Sequence, residues 1–251
     1  MDKRVCIVTG GGQGICRALS HHFAENGICV VVAELDEQNA AAVAAEIAAK
    51  GGEALAVTTD VANPGSVRDL FARVKESYGR VDILINNARW SGLAPARVQD
   101  ISDADWQRAM DVNVTGAFHC IREAVPMMMA ARFGRIVIMS SATVRQPPSR
   151  PYVHYITSKA ALVGMTRALA KELGEFGITV NAILPGSIET GVARPSPVTS
   201  ADRLQRAKQS QAIPRVLSPN DLAGTALFLA SDAAAFITGQ SLAVDGGLTF
   251  G

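Results

Sequence analysis

Residues 5–15 read VCIVTGGGQGI, an apolar run that passes directly into four closely spaced glycines. A short, continuously apolar run bounded by glycines predicts a strand that is buried on both faces of a sheet. Glycines let the backbone turn tightly and approach a pyrophosphate, whose charge the N-terminus of the following helix then stabilises. A glycine-rich turn without a ligand is the alternative, but its place between the first strand and the first helix favours a nucleotide site. The residues expected at that site are Gly10, Gln13, Gly14 and Ile15.

The same alternation of apolar runs and amphipathic stretches continues along the whole chain. Strands are predicted at Val5–Thr9, Ile28–Ala33, Ala54–Thr58, Val81–Asn86, Arg135–Ser140, Ile178–Ile183 and Ser241–Val244. Strand–helix alternation repeated this often predicts an α/β fold, a Rossmann-type doubly wound parallel sheet with helices on both faces. Helix boundaries are predicted at the stop Asn26-Gly27, the start Asn63-Pro64, the stop Gly79, and the capping pairs Ser102 with Asp105 and Ser218 with Asp221.

No linker rich in proline, serine or glycine divides the chain, so a single domain spanning 1–251 is expected. The least regular stretch, 191–214, contains Pro195 and Pro197 and many polar residues. A loop that long within one domain is usually functional, so this segment is expected to cover the substrate.

Composition excludes several classes of protein. The formal net charge is +1 and there is no run of lysines or arginines, so no footprint for nucleic acid or an anionic membrane is present. No stretch approaches the roughly 18 apolar residues of a membrane span. The first residues lead straight into a strand, which leaves no room for a signal peptide and predicts a cytoplasmic protein. The cysteines form no C-x-x-C pair and no metal site is expected; they are predicted to be small buried hydrophobic residues: Cys6, Cys16, Cys29 and Cys120.

The second strand is predicted to lead to Glu34, twenty residues beyond Gly14. A carboxylate there can accept hydrogen bonds from the adenosine ribose hydroxyls and would repel a 2′-phosphate. Neither Gln13 nor Leu35 supplies the cation that a 2′-phosphate would need. NAD is therefore expected rather than NADP, and the alternative is a solvated charge at the end of a strand.

Tyr155 and Lys159 stand four residues apart, so on a helix they share one face. A free tyrosine has a pKa of about 10 and is a poor base at neutral pH. A lysine cation nearby, with the positive charge of oxidised nicotinamide, stabilises the phenolate form. An isolated Y-x-x-x-K pattern is common by chance, so the surrounding sequence decides its meaning.

Those surroundings resemble the short-chain dehydrogenase/reductase family over essentially the whole chain. The glycine loop appears as Thr9-Gly10-x-x-x-Gly14-Ile15, and the helix asparagine as Asn113. Asp60-Val61 resembles the family's adenine-contacting pair, and Asn86-Asn87-Ala88 resembles its fourth-strand motif. Ser141 resembles the family's serine, and Tyr155 with Lys159 its tyrosine–lysine pair. Pro185-Gly186, with Ile188 and Thr190, resembles the family's nicotinamide-side turn. Ile237–Gln240 and Asp245-Gly246-Gly247 resemble its C-terminal signature.

The resemblance implies a role for each catalytic residue. Tyr155 would be the general base in alcohol oxidation and the general acid in ketone reduction. Ser141 would orient the substrate oxygen, and Lys159 would stabilise the phenolate and bind the nicotinamide ribose. Asn113 would hold a water in a proton relay from Lys159 to solvent. Of their neighbours, Tyr152 lacks a lysine four residues on, Ser140 would point to the opposite face of its strand, and His154 is expected to pack or line the pocket.

The sequence departs from the family pattern at three places. Cys16 stands at the last glycine of the loop motif, and Arg89 replaces the glycine that follows Asn-Asn-Ala. The spacing from Ser141 to Tyr155 is one residue longer than in many relatives. We expect Cys16 to alter the loop slightly and Arg89 to turn toward either the cofactor or the substrate.

The predicted reaction is the NAD-dependent interconversion of a secondary alcohol and a ketone on an aromatic or alicyclic ring compound, with a carboxylate as an optional substituent. The Tyr–Lys segment resembles dehydrogenases for aryl secondary alcohols, and the expected pocket residues include Trp90, Val144, Tyr152, Arg89, Arg145 and Arg150. Solvent-facing arginines are the alternative for each of the last three. A 3-oxoacyl-thioester reductase and a non-catalytic NAD-binding regulator remain open as functions. A homotetramer is expected because similar proteins are usually tetramers.

Overall fold

A seven-stranded parallel sheet forms the middle layer in the computed structural model of the chain, which describes residues 3–90, 95–188 and 200–250. The strands are β1 Val5–Thr9, β2 Cys29–Glu34, β3 Ala54–Thr58, β4 Ile83–Asn86, β5 Gly134–Met139, β6 Ile178–Pro185 and β7 Ser241–Val244. Their order across the sheet is β3-β2-β1-β4-β5-β6-β7, so β1 lies between β2 and β4. The helices are α1 Gly14–Glu25, α2 Glu37–Ala49, α3 Pro64–Tyr78, α4 Asp103–Met110, α5 Gly116–Ala131, α6 Val153–Leu173, α7 Ser200–Ser210 and α8 Pro219–Leu229. The prediction of a Rossmann-type doubly wound α/β fold is thus confirmed.

Side chains that alternate along β1 build a separate hydrophobic core on each side of the sheet. Val5 and Ile7 pack with residues of α3, α5 and α6, whereas Cys6 and Val8 pack with residues of α1, α2 and α8. All five residues of β1 are therefore buried, which explains why the strand is apolar without alternation. The four cysteines are buried and carry free thiols, as predicted.

Most element boundaries fall where the sequence signals place them. Asn63 caps α3 by accepting hydrogen bonds from the backbone N–H groups of Gly65 and Ser66, and Gly79 ends that helix in the left-handed conformation. The capping box of Ser218 and Asp221 is present at the start of α8. Strand β6 is longer than predicted because its last two residues pair with β7, where the proline at the strand end needs no N–H.

The segment 191–214 is not irregular throughout, contrary to the sequence prediction. Residues 191–199 lie outside the described residues, but Ser200–Ser210 forms helix α7. No glycine or proline interrupts that stretch, and Ala207 is buried against the rest of the protein. The prolines at 195 and 197 made the whole segment look like a loop, although they precede the helix.

The chain reverses its direction of winding between β1 and β4. From β1 the chain moves outward to β2 and β3, and then returns to β4 on the other side of β1. The loops that follow β1 and β4 therefore diverge and leave a crevice at the carboxyl ends of the strands. Ligands of doubly wound sheets bind in such a crevice.

Candidate active site

The glycine loop after β1 forms the floor of this crevice. Gly10 has a φ of +67°, and a side chain there would bring a Cβ to 3.3 Å from the Cα of Ala88. Helix α1 begins at Gly14, its N-cap residue Gln13 makes no side-chain capping bond, and its first turn contains no acidic residue. The N–H groups at this helix end are thus left for an anion such as a pyrophosphate.

Glu34 is held against the glycine loop at the end of β2. Its two carboxylate oxygens accept hydrogen bonds from the backbone N–H groups of Gly12 at 3.1 Å and Leu35 at 2.8 Å. The side chain of Glu34 is buried, whereas Leu35 is 62% exposed beside it. A carboxylate fixed by two N–H donors stays in place to accept further hydrogen bonds from ribose hydroxyls.

The remaining residues expected at the dinucleotide lie along the same edge of the sheet. Thr9 joins β1 to β4, because its hydroxyl accepts hydrogen bonds from the N–H groups of Asn87 and Ala88 at 3.0 and 3.1 Å. The Asp60 carboxylate accepts a hydrogen bond from the N–H of Ala62.

Two further positions belong to this edge. Val61 is buried against Gly116 at the start of α5, where any Cβ on Gly116 would collide with it at 2.6 Å. Beyond Pro185, which ends β6, Gly186 donates its N–H to the carbonyl of Val244, and Ile188 forms an isolated bridge with Leu217. Thr190 lies outside the described residues.

Tyr155 and Lys159 occupy one face of α6, as their spacing predicts. The Lys159 Nζ donates a hydrogen bond of 2.8 Å to the carbonyl of Met139, which ties the helix to the end of β5. It lies 6.0 Å from the centre of the Tyr155 ring. Burial, reinforced by the positive charge of Arg89, lowers the pKa of Lys159 to about 7. The lysine is therefore poised to exchange a proton near neutral pH.

Ser141 follows β5 and is nearly buried. Its Oγ accepts hydrogen bonds from the backbone N–H of Thr143 at 3.3 Å and from the Thr143 hydroxyl at 2.9 Å. A hydroxyl that accepts bonds from both of these groups keeps its own proton for donation. This proton is suited to an alcohol or carbonyl oxygen in the crevice.

Asn113 lies in a π-helical turn, Asp111–Thr115, which joins α4 to α5. Its Oδ1 accepts a 2.9 Å hydrogen bond from the N–H of Trp90, and its Nδ2 donates a 3.0 Å bond to the Ser158 hydroxyl. The Asn113 side chain thus joins the segment after β4 to α6, one residue from Lys159. π-Helical turns within helices are frequent at functional sites.

An aromatic stack borders Tyr155. The rings of Tyr152 and Tyr155 are stacked, with centroids 4.8 Å apart and planes 25° apart. The Arg150 guanidinium lies 5.1 Å from the Tyr152 centroid, and His154 is buried with its ring edge-on to Tyr152. His154 packs as predicted, and Ser140 turns away from the crevice to donate to the Lys159 carbonyl.

The two unusual residues take different places. Cys16 is fully buried, and burial raises the pKa of its thiol, with a further contribution from Glu34. Arg89 is partly buried; after burial itself, its charge helps to lower the pKa of Lys159, and it offsets part of the rise that burial causes in the pKa of Tyr152. Arg89 therefore adds positive charge on the side of the crevice where the tyrosine and lysine lie.

The sequence did not predict the supporting contacts that three residues make in the site, although Tyr152 was expected to line the pocket. Thr143 holds the Ser141 hydroxyl, Ser158 bridges Asn113 to the Tyr155 carbonyl, and the Tyr152 ring stacks on Tyr155. Ser158 stands beside Lys159 in the motif, so its position was a usable signal. The stacked pair was not, because two aromatic residues three apart do not specify a stacked geometry.

Two further properties of the structure concern metal ions and membranes. Among the residues that it describes, no group of three or more histidines, cysteines or acidic residues could hold a metal ion. Within residues 3–90, 95–188 and 200–250, no helix is both long and apolar enough to cross a bilayer.

Known proteins similar to this chain share its full length. A family model described as enoyl-(acyl carrier protein) reductase matches residues 10–249. The (2S)-[(R)-hydroxy(phenyl)methyl]succinyl-CoA dehydrogenase subunit BbsD of Thauera aromatica is 36% identical, over 98% of this chain and 97% of that protein. A 3-oxoacyl-[acyl-carrier-protein] reductase of Synechocystis is 39% identical, over 99% and 98%.

Solved structures agree with these matches. A short-chain type dehydrogenase/reductase from Mycobacterium marinum superposes with a TM-score of 0.90 at 33% identity, covering 99% of this chain and 96% of that one. A 3-ketoacyl-(acyl-carrier-protein) reductase from Brucella melitensis complexed with NADH gives a TM-score of 0.88 at 32% identity, covering 98% of each. The chain belongs to the short-chain dehydrogenase/reductase family.

Proposed function

We propose that the protein is an NAD(H)-dependent oxidoreductase that interconverts a secondary alcohol and a ketone. The observation that carries this proposal is the arrangement of Tyr155 and Lys159 on one face of α6, tied through Met139 to the end of β5 where Ser141 follows. This arrangement supports the proposal, because an acid–base phenol, a cation and a hydrogen-bond donor would then serve one crevice.

The residues of the crevice fit a nicotinamide dinucleotide. The open N-terminus of α1 and the glycine loop suit its pyrophosphate, and Glu34 suits an adenosine ribose without a 2′-phosphate. The other residues proposed to hold it are Ile15, Leu35, Asp60, Val61, Asn87, Ala88, Pro185, Gly186, Ile188 and Thr190. When bound, the cofactor accepts or supplies the hydride. The related Brucella reductase in its NADH complex supports the choice of cofactor.

The chain's own residues handle the proton. In alcohol oxidation the Tyr155 phenolate oxygen takes the hydroxyl proton, and in ketone reduction the phenol returns it to the carbonyl oxygen. The Ser141 hydroxyl donates a hydrogen bond to the same oxygen and fixes its position. Lys159 in its charged form stabilises the phenolate, and Asn113 joins the lysine's helix to the segment after β4, where a relay to solvent can begin.

For the substrate, we propose a secondary alcohol or ketone that carries an aromatic or alicyclic ring. Tyr152 gives the crevice an aromatic wall beside the catalytic phenol. The Thauera relative supports this class, since the name of its substrate contains a hydroxy(phenyl)methyl group.

A 3-oxoacyl thioester is the second candidate substrate, and it fits the comparisons at least as well. The Synechocystis and Brucella relatives bear the names of 3-oxoacyl and 3-ketoacyl reductases. The two candidates differ in the group attached to the reacting carbon and not in the catalytic residues. The test compares the rate of 1-phenylethanol oxidation with NAD and the rate of acetoacetyl-CoA reduction with NADH, both followed by the absorbance of reduced nicotinamide. The faster reaction identifies which of the two substrate classes the enzyme prefers.

Two properties of the whole protein are also proposed. A cytoplasmic location suits an enzyme that depends on a dinucleotide. Association into a homotetramer would cover apolar side chains that the described surface leaves exposed, among them Phe118, Phe228, Phe236 and Phe250.

The direct test is the substitution Tyr155→Phe, which removes the phenolic oxygen and keeps the ring. We expect turnover to fall by at least about 100-fold, the usual contribution of a general acid–base group, while NADH binding stays unchanged. Tyr78→Phe in α3 is the matched control and should keep wild-type turnover. Wild-type activity in Tyr155→Phe would rule out the proposed chemistry.

A further inference from the structure

A groove of about 560 Å³ is lined in part by Tyr152, whose ring stacks on Tyr155. It lies between the segment 96–99, which follows β4, and the segment 148–153, which leads into α6. Pockets for small organic ligands commonly have volumes of about 300–1,000 Å³, so the groove can hold a substantial part of a substrate.

The groove carries two positive charges that nothing in the described structure neutralises. Arg97 and Arg150 line it, and no acidic residue among those that the structure describes does. Within the described residues, neither guanidinium lies within ion-pair distance of a carboxylate. Guanidinium groups bind carboxylates and phosphates in a two-pronged geometry, so an anion is the ligand that this pair suits.

Tyr152 connects the groove to the site of reaction. Its ring lines the groove, receives the Arg150 guanidinium at 5.1 Å, and stacks on Tyr155 at 4.8 Å. Arg89 adds a third positive charge near Tyr152 and Lys159. Arg150 and Arg89 therefore bring positive charge close to the ring that stacks on Tyr155, and Arg97 lines the same groove.

We propose that Arg97 and Arg150 bind an anionic group of the substrate in this groove while its alcohol or carbonyl carbon lies at Tyr155. This inference rests on the proposed oxidoreductase function and names the substrate class of the same site. The anionic group is a carboxylate on the substrate itself or a phosphate of a thioester carrier, because both offer the same oxyanion to a guanidinium.

The test compares matched anionic and neutral ketones with NADH. The first pair is 4-acetylbenzoate and its methyl ester, and the second is acetoacetyl-CoA and the acetoacetyl thioester of N-acetylcysteamine. We expect Arg97→Gln and Arg150→Gln each to raise KM for one anionic member by about 10-fold or more, since hydrogen bonds to charged groups contribute about 1.5–3 kcal/mol. KM for its neutral partner should change by less than about twofold. Arg73→Gln on α3, an exposed arginine away from the groove, is the control and should change neither.

The outcomes separate the two sources and the two proposals. A selective loss with 4-acetylbenzoate assigns the groove to a carboxylate, and a selective loss with acetoacetyl-CoA assigns it to phosphate. Equal effects on anionic and neutral partners, or no effect on any ketone, overturn the groove assignment while the oxidoreductase function stands. Failure of the wild-type protein to reduce any of the four ketones contradicts the oxidoreductase proposal and the groove assignment with it. Thermal unfolding and NADH binding of each variant verify that it is folded.

Discussion

The Asn113 side chain offers the sharpest test of how the site is held together. Asn113→Ala removes two hydrogen bonds, one from the Trp90 N–H at 2.9 Å and one to the Ser158 hydroxyl at 3.0 Å, at a position that is 1% exposed. The bond to Ser158 contributes about 1 kcal/mol, and leaving the Trp90 N–H without its acceptor costs about 1–3 kcal/mol. We therefore expect the free energy of unfolding to fall by about 2–4 kcal/mol. For a chain of this length that corresponds to a Tm lower by about 5–15 °C.

The assay is urea and thermal unfolding followed by circular dichroism, at one fixed protein concentration so that any association does not bias the comparison. Asn63→Ala is the matched control, because that asparagine side chain also makes two hydrogen bonds, both as acceptor, but caps an exposed helix end. Loss of such a cap costs about 1 kcal/mol. A cost for Asn113→Ala no larger than that of the control would refute the claim that this side chain joins the two segments.

Three further predictions follow from the same site. Glu34→Ala should reduce the preference for NAD over NADP by about 10- to 100-fold in kcat/KM, since it removes hydrogen bonds of about 1.5–3 kcal/mol and a charge that repels a 2′-phosphate; an unchanged ratio would contradict the role of Glu34. The pKa of Lys159 is lowered from 10.5 to about 7, so its burial as a cation destabilises the fold below pH 7 and this cost declines as pH rises from about 7 to about 10.5. Lys159→Met should accordingly melt above the wild type at pH 6, with a difference that shrinks toward pH 10; a difference that does not depend on pH would be evidence against this. Tyr152→Ala should lower kcat by about 2- to 10-fold through loss of the ring stacked on Tyr155, whereas Tyr152→Phe keeps the ring and should stay near wild type, and equal losses in both would show that stacking is not the cause.

The overall fold could be predicted because its signals are local. The strand at Val5–Thr9 is apolar throughout since both faces are covered, and the helix starts at Asn63 and Ser218 carry their caps in the sequence. Strand ends were less certain because they depend on a neighbour. The last two residues of β6 are in the sheet only because β7 lies beside them.

In the candidate site, too, the features that depend on local sequence could be predicted and those that depend on distant segments could not. The spacing of Tyr155 and Lys159 predicts their shared face, since helical periodicity is a property of the sequence. The hydrogen bond of Lys159 to the Met139 carbonyl joins residues twenty apart, and no local pattern specifies it. The partners of Asn113 come from two other segments, so its bridging position emerges only when those segments pack together.

The π-helical turn at Asp111–Thr115 has a geometric consequence for the helices on either side. A π turn accommodates one more residue than an α turn, and each residue of an α-helix rotates the chain by about 100°. Helices α4 and α5 therefore form one rod whose two halves are out of phase, so that α4 contacts α6 while α5 contacts α3. Deleting one residue from this turn would restore a uniform helix and rotate every side chain of α5 by about 100° relative to α4. After such a deletion the continuous helix could keep its contact with only one of the two neighbours, α6 or α3. The extra residue in the π turn therefore allows one continuous helix to pack against both.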